Sequence, residues 1–244
     1  MKGALKVFAD FDGTITRADV GDTFYRTFGG VICDELVERY RREEISAMEC
    51  FRREAASMGR VKIEALNALI DAQEIDRTFA TLAAWCRAEQ VPLLILSDGL
   101  DYYIRRILAR EGLPDVRFVS NRVHFLEEAP DGTARVGVEF PHADAECDRC
   151  ACCKRNIMLN EASEQDVIAY VGEGYSDRCP ARYADIVFAK DELQTYCQKE
   201  NISYYPYASF QEVTDRLASL MAGTQLHVRS RAAAERRAAF IRES

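Results

Sequence analysis

The sequence predicts an α/β fold in three layers: a parallel sheet covered by helices on both faces, with a helical cap and a β-hairpin inserted into it. Three observations carry this expectation. Short, near-continuous apolar runs alternate with helical patterns, the signature of strands buried on both faces. Three of the runs, residues 4–9, 91–96 and 167–171, end in small polar loops bearing an acid or a hydroxyl. Residues 17–75 show no strand signal and are too long for a simple βα crossover.

The first strand, residues 4–9, runs into Asp10-Phe11-Asp12-Gly13-Thr14. Helical patterns follow over residues 21–28, 33–41, 45–58 and 61–70, punctuated by Gly29-Gly30 and Gly59. These form the expected cap. The second strand, 91–96, ends in Ser97-Asp98-Gly99, and a helix follows it. From 117 to 140 the pattern is β-like again, with Asp131-Gly132 as a hairpin turn signal. The third strand, 167–171, ends in Gly172-Glu173-Gly174-Tyr175-Ser176-Asp177, and residues 186–189 give one more apolar strand. Beyond residue 223 the chain is polar and arginine-rich, which predicts an exposed helix or a frayed tail. The expected organisation is a core of residues 1–16 and 76–222, a cap of 17–75 and a polar helical tail of 223–244.

The 244 residues are 48% apolar and 30% charged, proportions of an ordinary globular chain. A net charge of −8 disfavours a broad surface for nucleic acid or anionic membrane. Asp10 arrives too early for a secretory apolar region, and no apolar run reaches membrane-spanning length. The expected location is the cytoplasm, and the expected state a monomer or homodimer. Nine cysteines cannot all pair within one chain. Cys33, Cys50, Cys86, Cys179 and Cys197 are scattered, as suits reduced and packed thiols. Cys147, Cys150, Cys152 and Cys153 are clustered, and with His142 they offer zinc a set of donors. One compact cluster lacks the two separated ligand pairs of a structural zinc site. The competing reading is a tight loop of reduced cysteines that positions Lys154.

In open parallel sheets, ligands bind at the carboxyl ends of the strands, so the three polar loops are expected to meet in one crevice. Asp10 and Asp12 stand one residue apart and point the same way on an extended chain. One can attack phosphorus while the other handles the proton of the leaving oxygen. Two such anions facing a phosphate call for a hard cation with oxygen ligands, and Mg²⁺ fits. Gly13 permits a close turn whose amide faces phosphate oxygens. Taken alone, the two aspartates read equally as caps of the following helix. Ser97 reads as a phosphate ligand at a helix N-terminus or as a plain N-cap, and Glu173 with Asp177 as metal donors or as a loop acid and a cap. Their recurrence at three strand ends favours the chemical reading.

The motifs DFDGT, the strand-end Ser97, a lysine before the last motif, and GEGYSD resemble those of the haloacid dehalogenase superfamily of phosphatases across residues 1 to 190. LSDGLDYYIRRIL, VEFPH and CDRCACCK resemble its phosphoserine-phosphatase-like branch, and within it the hydroxy-ketomethylthiopentenyl-phosphate phosphatase-like proteins. The resemblance implies a Rossmann-like core and a Mg²⁺-dependent phosphomonoesterase acting on a small phosphorylated metabolite, with methionine salvage as one setting. It implies Asp10 as nucleophile and Asp12 as acid and base. Gly13, Thr14, Ser97, Asp98 and Lys154 would hold the phosphoryl group. Asp10, the Asp12 carbonyl and Glu173 would bind the metal, with Asp177 nearby. Glu173 departs from the commoner aspartate. Asp19 matches the spacing of a substrate-contacting cap carboxylate, with Arg17 and Asp22 as rivals for that task. Phosphoserine, phosphoethanolamine or pyridoxal phosphate as substrate, phosphotransfer to an alcohol, and a non-catalytic phosphometabolite sensor stay open at this stage.

Overall fold

The computed structural model describes residues 3–147, 149–223 and 226–242. Strand β1 (Leu5–Ala9) occupies the middle of an eight-stranded sheet. On one side it pairs in parallel with β3 (Leu93–Leu100), on the other with β6 (Val167–Gly172). Beyond β6 come β7 (Ile186–Ala189) and β8 (Tyr205–Pro206), both parallel. The three strands that carry polar loops are therefore neighbours, and their carboxyl ends lie side by side. Alternation along β1 explains the two-sided core. Val7 and Ala9 pack with α5 (Phe79–Ala88), α6 (Asp101–Arg110) and α10 (Phe210–Ala222). Phe8 packs on the other face with Met158, Ala181 and Leu193, from α7 (Lys154–Glu161), α8 (Arg178–Tyr183) and α9 (Asp191–Lys199).

The hairpin is continuous with the sheet. β4 (Arg117–Leu126) runs parallel to β3 at its start, then turns antiparallel to β5 (Thr133–Glu139) from Arg122 onward. Its turn is longer than the two residues signalled by Asp131-Gly132: the loop is 127–132, and the Asp131 carboxylate accepts from the Thr133 amide at 3.0 Å. Strand β2 (Arg60–Lys62) joins the edge of β5, inside a segment where the sequence pattern indicated only helix. Three residues are too few to show a period of two, and only the free edge of β5 makes them a strand.

The segment expected to form a cap carries α1 (Val20–Gly29), α2 (Ile32–Arg41), α3 (Ala47–Ser57) and α4 (Ile63–Asp71). Asp19 caps α1 by accepting from the Asp22 amide at 2.8 Å, and Ser46 caps α3 by accepting from Glu49 at 3.1 Å. Contacts from several elements seat the cap on the core. Arg106 forms a bidentate pair with Asp71 at 2.6 Å, Tyr102 donates to Asn67 at 2.5 Å, and Tyr40 donates to the Arg149 carbonyl at 2.5 Å. Among the described residues, no helix is long and apolar enough to cross a membrane.

The tail corrects a sequence expectation. Helix α11 (Ser230–Arg242) is not a free, exposed appendage but lies against α8, with Ala232 and Arg236 buried. The Arg236 guanidinium reaches the buried Asp185 carboxylate at 3.2 Å and donates to the Tyr183 carbonyl at 2.6 Å. Polarity misled the sequence reading because the buried charge has its partner on another element. Residues 224, 225, 243 and 244 lie outside the described part. Removing one member of a buried pair strands the other, so Arg236→Met should lower the unfolding free energy by about 3 kcal/mol. Arg237→Ala, on the exposed side of the same helix, should change it by less than about 0.5 kcal/mol. Urea denaturation of the three proteins checks this.

Candidate active site

The carboxyl ends of β1, β3 and β6 open onto a cavity of about 520 Å³ roofed by the cap. Asp10 ends β1, where its amide donates to the Val171 carbonyl of β6 at 2.9 Å. Asp10 Oδ1 meets Lys154 Nζ at 2.8 Å and accepts from the Phe11 amide at 2.7 Å; neither contact uses Oδ2. Lys154 opens α7 and is 1% exposed, although a lysine at that place would read alone as a surface residue. Its ammonium also reaches Asp177 Oδ1 at 2.7 Å and Ser176 Oγ at 2.9 Å.

Asp177 is engaged from every direction. Tyr170 donates to its Oδ1 at 2.5 Å, and the amides of Glu173 and Gly174 donate to its Oδ2 at 2.8 and 3.0 Å. With Lys154, these contacts let Asp177 hold the ammonium and shape the GEGYSD loop. Burial pushes its carboxyl up, but the Lys154 charge and the hydrogen bonds outweigh this and hold it below the ordinary value.

Asp12 turns the other way. Its Oδ2 accepts from Tyr103 at 2.8 Å and from Ser97 at 3.2 Å, and its Oδ1 from the Val20 amide at 3.1 Å. Burial, followed by the Asp19 charge, pushes it up to about 7. Asp10 is likewise pushed well above the ordinary carboxylate range, by burial and then by Asp177, against the pull of Lys154. Ser97 lies on β3, not at a helix start, and its hydroxyl also accepts from the Gly99 amide at 2.9 Å. The lack of a side chain at Gly99 is essential, since a Cβ there would stand 2.3 Å from Asp12 Oδ2 and 1.8 Å from the Tyr103 hydroxyl. Gly13 takes φ +67°, and a Cβ on it would meet Glu173 Oε1 at 2.9 Å.

Two expected phosphate contacts are placed differently. The Asp98 carboxylate, raised to about 6 chiefly by burial, accepts from the Cys152 amide at 2.7 Å and so anchors the cysteine loop. Thr14 is buried, and its hydroxyl has no partner among the described residues. Asp19 lines the cavity while capping α1. Of its rivals, Arg17 is exposed and pairs with Glu74, and Asp22 lines the cavity paired with Arg26.

For a metal, Asp10 and Glu173 both line the cavity, and the Asp12 carbonyl accepts no hydrogen bond among the described residues. Burial, then the Asp177 charge, pushes Glu173 up to about 7. Two carboxylates and a main-chain oxygen are donors that fit Mg²⁺. No group of three His, Cys, Asp or Glu side chains among the described residues is arranged to hold a metal, and that includes the cysteine cluster considered for zinc. There Cys150, Cys152 and Cys153 are buried, and the Cys153 amide donates to the His142 carbonyl at 2.7 Å, which fixes the turn into Lys154. Tyr103, Tyr170 and Ser176 escaped sequence reasoning. Only the position of Tyr103, two residues into the helix after Ser97-Asp98-Gly99, could have drawn attention to it.

Parallel-sheet topology, strand-end aspartates and a buried lysine define a phosphatase site on an α/β core. The model of the haloacid dehalogenase-like hydrolases matches residues 7–182, and the chain belongs to that family. It is 28% identical over 222 residues to a 2-hydroxy-3-keto-5-methylthiopentenyl-1-phosphate phosphatase of Bacillus cereus (strain ATCC 10987 / NRS 248), covering 89% of this chain and 98% of that protein. A protein of the same name from Geobacillus thermodenitrificans (strain NG80-2) is 28% identical over 224 residues, covering 90% and 98%. Among solved structures, a phospho-aspartyl intermediate analogue of phosphoserine phosphatase superposes with TM-score 0.67 at 16% identity, covering 88% of this chain and 99% of that one. A probable phosphoserine phosphatase from Vibrio cholerae gives 0.67 at 19%, covering 93% and 68%. These likenesses confirm the fold.

One carboxyl of the cap is also displaced. Glu54 on α3 is buried against the cavity, and burial pushes it up to about 8 from an ordinary 4.5. The folded protein thus keeps a proton that the unfolded chain releases, so folding is penalised increasingly as pH rises from about 4.5 to about 8. Glu54→Gln should flatten this dependence, gaining on the order of 2 kcal/mol relative to the parent between pH 5 and pH 8. Denaturant titrations at the two pH values measure it.

Proposed function

We propose that this protein hydrolyses phosphate monoesters of small metabolites through an aspartyl-phosphate on Asp10. The observation that carries the reading is the buried contact chain Asp10–Lys154–Asp177, at 2.8 and 2.7 Å, beside Asp12 in one cavity. Asp10 Oδ2 attacks phosphorus, while Lys154 draws the Asp10 carboxyl toward its ionised form, against burial and Asp177, and neutralises the incoming phosphoryl oxygens. Asp12, which holds its proton to about pH 7, gives it to the leaving alcohol. It then takes a proton from the water that cleaves the acyl phosphate. Tyr103 and Ser97 orient Asp12 for both steps. Asp10, the Asp12 carbonyl and Glu173 are the donors for Mg²⁺, which when bound offsets the charge of the phosphoryl group. The cap excludes bulk water and limits the substrate to small molecules. The relatives from Bacillus and Geobacillus support an ester of methionine salvage as a substrate to test.

Phosphate release from a panel including phosphoserine and 2-hydroxy-3-keto-5-methylthiopentenyl-1-phosphate tests the reading, with Mg²⁺ or EDTA. Turnover should require the metal, vanish in Asp10→Asn and fall by about 10²–10⁴ in Asp12→Asn. Turnover that survives Asp10→Asn would sink the mechanism. Tyr103→Phe removes a hydrogen bond that favours ionised Asp12. The alkaline limb of kcat/KM should therefore move upward, by roughly one pH unit.

A further inference from the structure

The loop that delivers Lys154 carries four cysteines, at positions 147, 150, 152 and 153, and the chemistry at Asp10 uses none of their thiols. Two main-chain contacts fix the loop: the Cys152 amide on Asp98 and the Cys153 amide on the His142 carbonyl, each at 2.7 Å. The thiols are free, and they are not equivalent. Cys150 is 8% exposed and makes thiol–thiol hydrogen bonds with both Cys147 and Cys153. Three sulfurs are therefore within bonding reach of one another, with Cys150 in the middle.

Cys147 is the member of this group that solvent reaches. It is half-buried and lines a second cavity of about 530 Å³ with Tyr40, Glu43, Glu44, Glu49, Glu146 and Arg149. The hydrogen bond from Cys150, helped by the Arg149 amide, outweighs burial and brings the Cys147 thiol down to about 6. Cys179 is half-buried too, but there burial pushes the thiol up to about 11. Because the thiolate is the nucleophile, Cys147 is the reactive cysteine of the two at neutral pH. Four carboxylates line its cavity against one arginine, and that arginine is paired with Glu43 at 3.4 Å. Such a pocket disfavours anionic oxidants such as glutathione disulfide and admits a small neutral peroxide.

We propose that Cys147 and Cys150 are a peroxide-sensing dithiol whose disulfide loosens the grip of the loop on the cap. The Cys147 thiolate attacks one peroxide oxygen, the O–O bond breaks with loss of hydroxide, and Cys147 becomes a sulfenic acid. The Cys150 sulfur then attacks the Cys147 sulfur, the S–O bond breaks, and the hydroxyl leaves as water with the Cys150 proton. In all, two thiols and one hydrogen peroxide give one disulfide and two waters; the sulfurs are oxidised and the peroxide oxygens reduced. Arg149 lies inside the ring that this bond closes. Its carbonyl accepts from Tyr40 at 2.5 Å and its guanidinium meets Glu43, so both contacts between the loop and the end of α2 pass through it. The same bond takes the Cys150 hydrogen away from Cys153, the residue before Lys154.

The test exposes the reduced full chain to hydrogen peroxide at neutral pH, blocks remaining thiols with N-ethylmaleimide and maps the peptides by mass spectrometry. A Cys147–Cys150 disulfide should form and be reversed by dithiothreitol, while Cys179 stays reduced. Before oxidation, Cys147 should be alkylated at least about tenfold faster than Cys179 at pH 7. No disulfide, a disulfide between other cysteines, or equal oxidation of Cys179 overturns the site. Hydrogen exchange reads the consequence: amides of α2 should exchange at least about fivefold faster in the oxidised protein. Cys147→Ser under the same peroxide should show no such change. A disulfide that leaves α2 exchange untouched overturns the coupling to the cap. On any ester that the reduced protein hydrolyses, kcat/KM should fall on oxidation and recover with dithiothreitol. If no ester is hydrolysed, the phosphatase reading fails by itself, and the peptide map and the exchange rates still decide the dithiol.

Discussion

Lys154 enters the protein interior with its charge intact, and the strand-end loops are arranged around that fact. A buried ammonium is tolerable only when anions and acceptors surround it closely, and here Asp10, Asp177 and Ser176 do so. Asp177 in turn is held by Tyr170 and by two amides of the loop after β6, so the loop is shaped by the same cation. On the other side, the cysteine loop delivers Lys154. Asp98 grips its Cys152 amide, and the His142 carbonyl takes its Cys153 amide. Cys150, Cys152 and Cys153 are small, buried side chains that let this turn pack tightly.

The same arrangement leaves other carboxyls short of positive charge. Asp10, Asp12 and Glu173 are all pushed upward, mainly by burial. Asp12 stands apart from Lys154 and leans on Tyr103 and Ser97, which separates the group that moves protons from the group that attacks. That division matters because the two aspartates are only one residue apart in sequence.

Above the site, the cap is tied to the core by hydrogen bonds and ion pairs as well as by apolar contact. Tyr40 reaches the cysteine loop, Arg41 reaches Glu192, and Arg106 reaches Asp71. Polar connections at a rim give way more readily than a packed interface, which suits a roof that must admit substrate. β2 extends the sheet into the cap segment, so one edge of the roof is anchored by backbone hydrogen bonds.

The α/β architecture and the residues of the strand-end loops were legible in the sequence, because both are local. An apolar run that ends in DFDGT, in Ser97-Asp98-Gly99 or in GEGYSD shows strand, turn and chemistry within a few residues. Parallel topology then brings these ends together without further information. What only the tertiary structure decided are the partners of each side chain. Tyr103 and Tyr170 are buried aromatics whose hydroxyls lie on Asp12 and Asp177, far away in the chain or on another element. Asp98 faces the cysteine loop, Asp177 spends its oxygens on Lys154 and its own loop, β2 exists by virtue of the β5 edge, and Arg236 is buried by Asp185. Each outcome depends on contacts between residues far apart in the chain, and periodicity carries no record of such contacts.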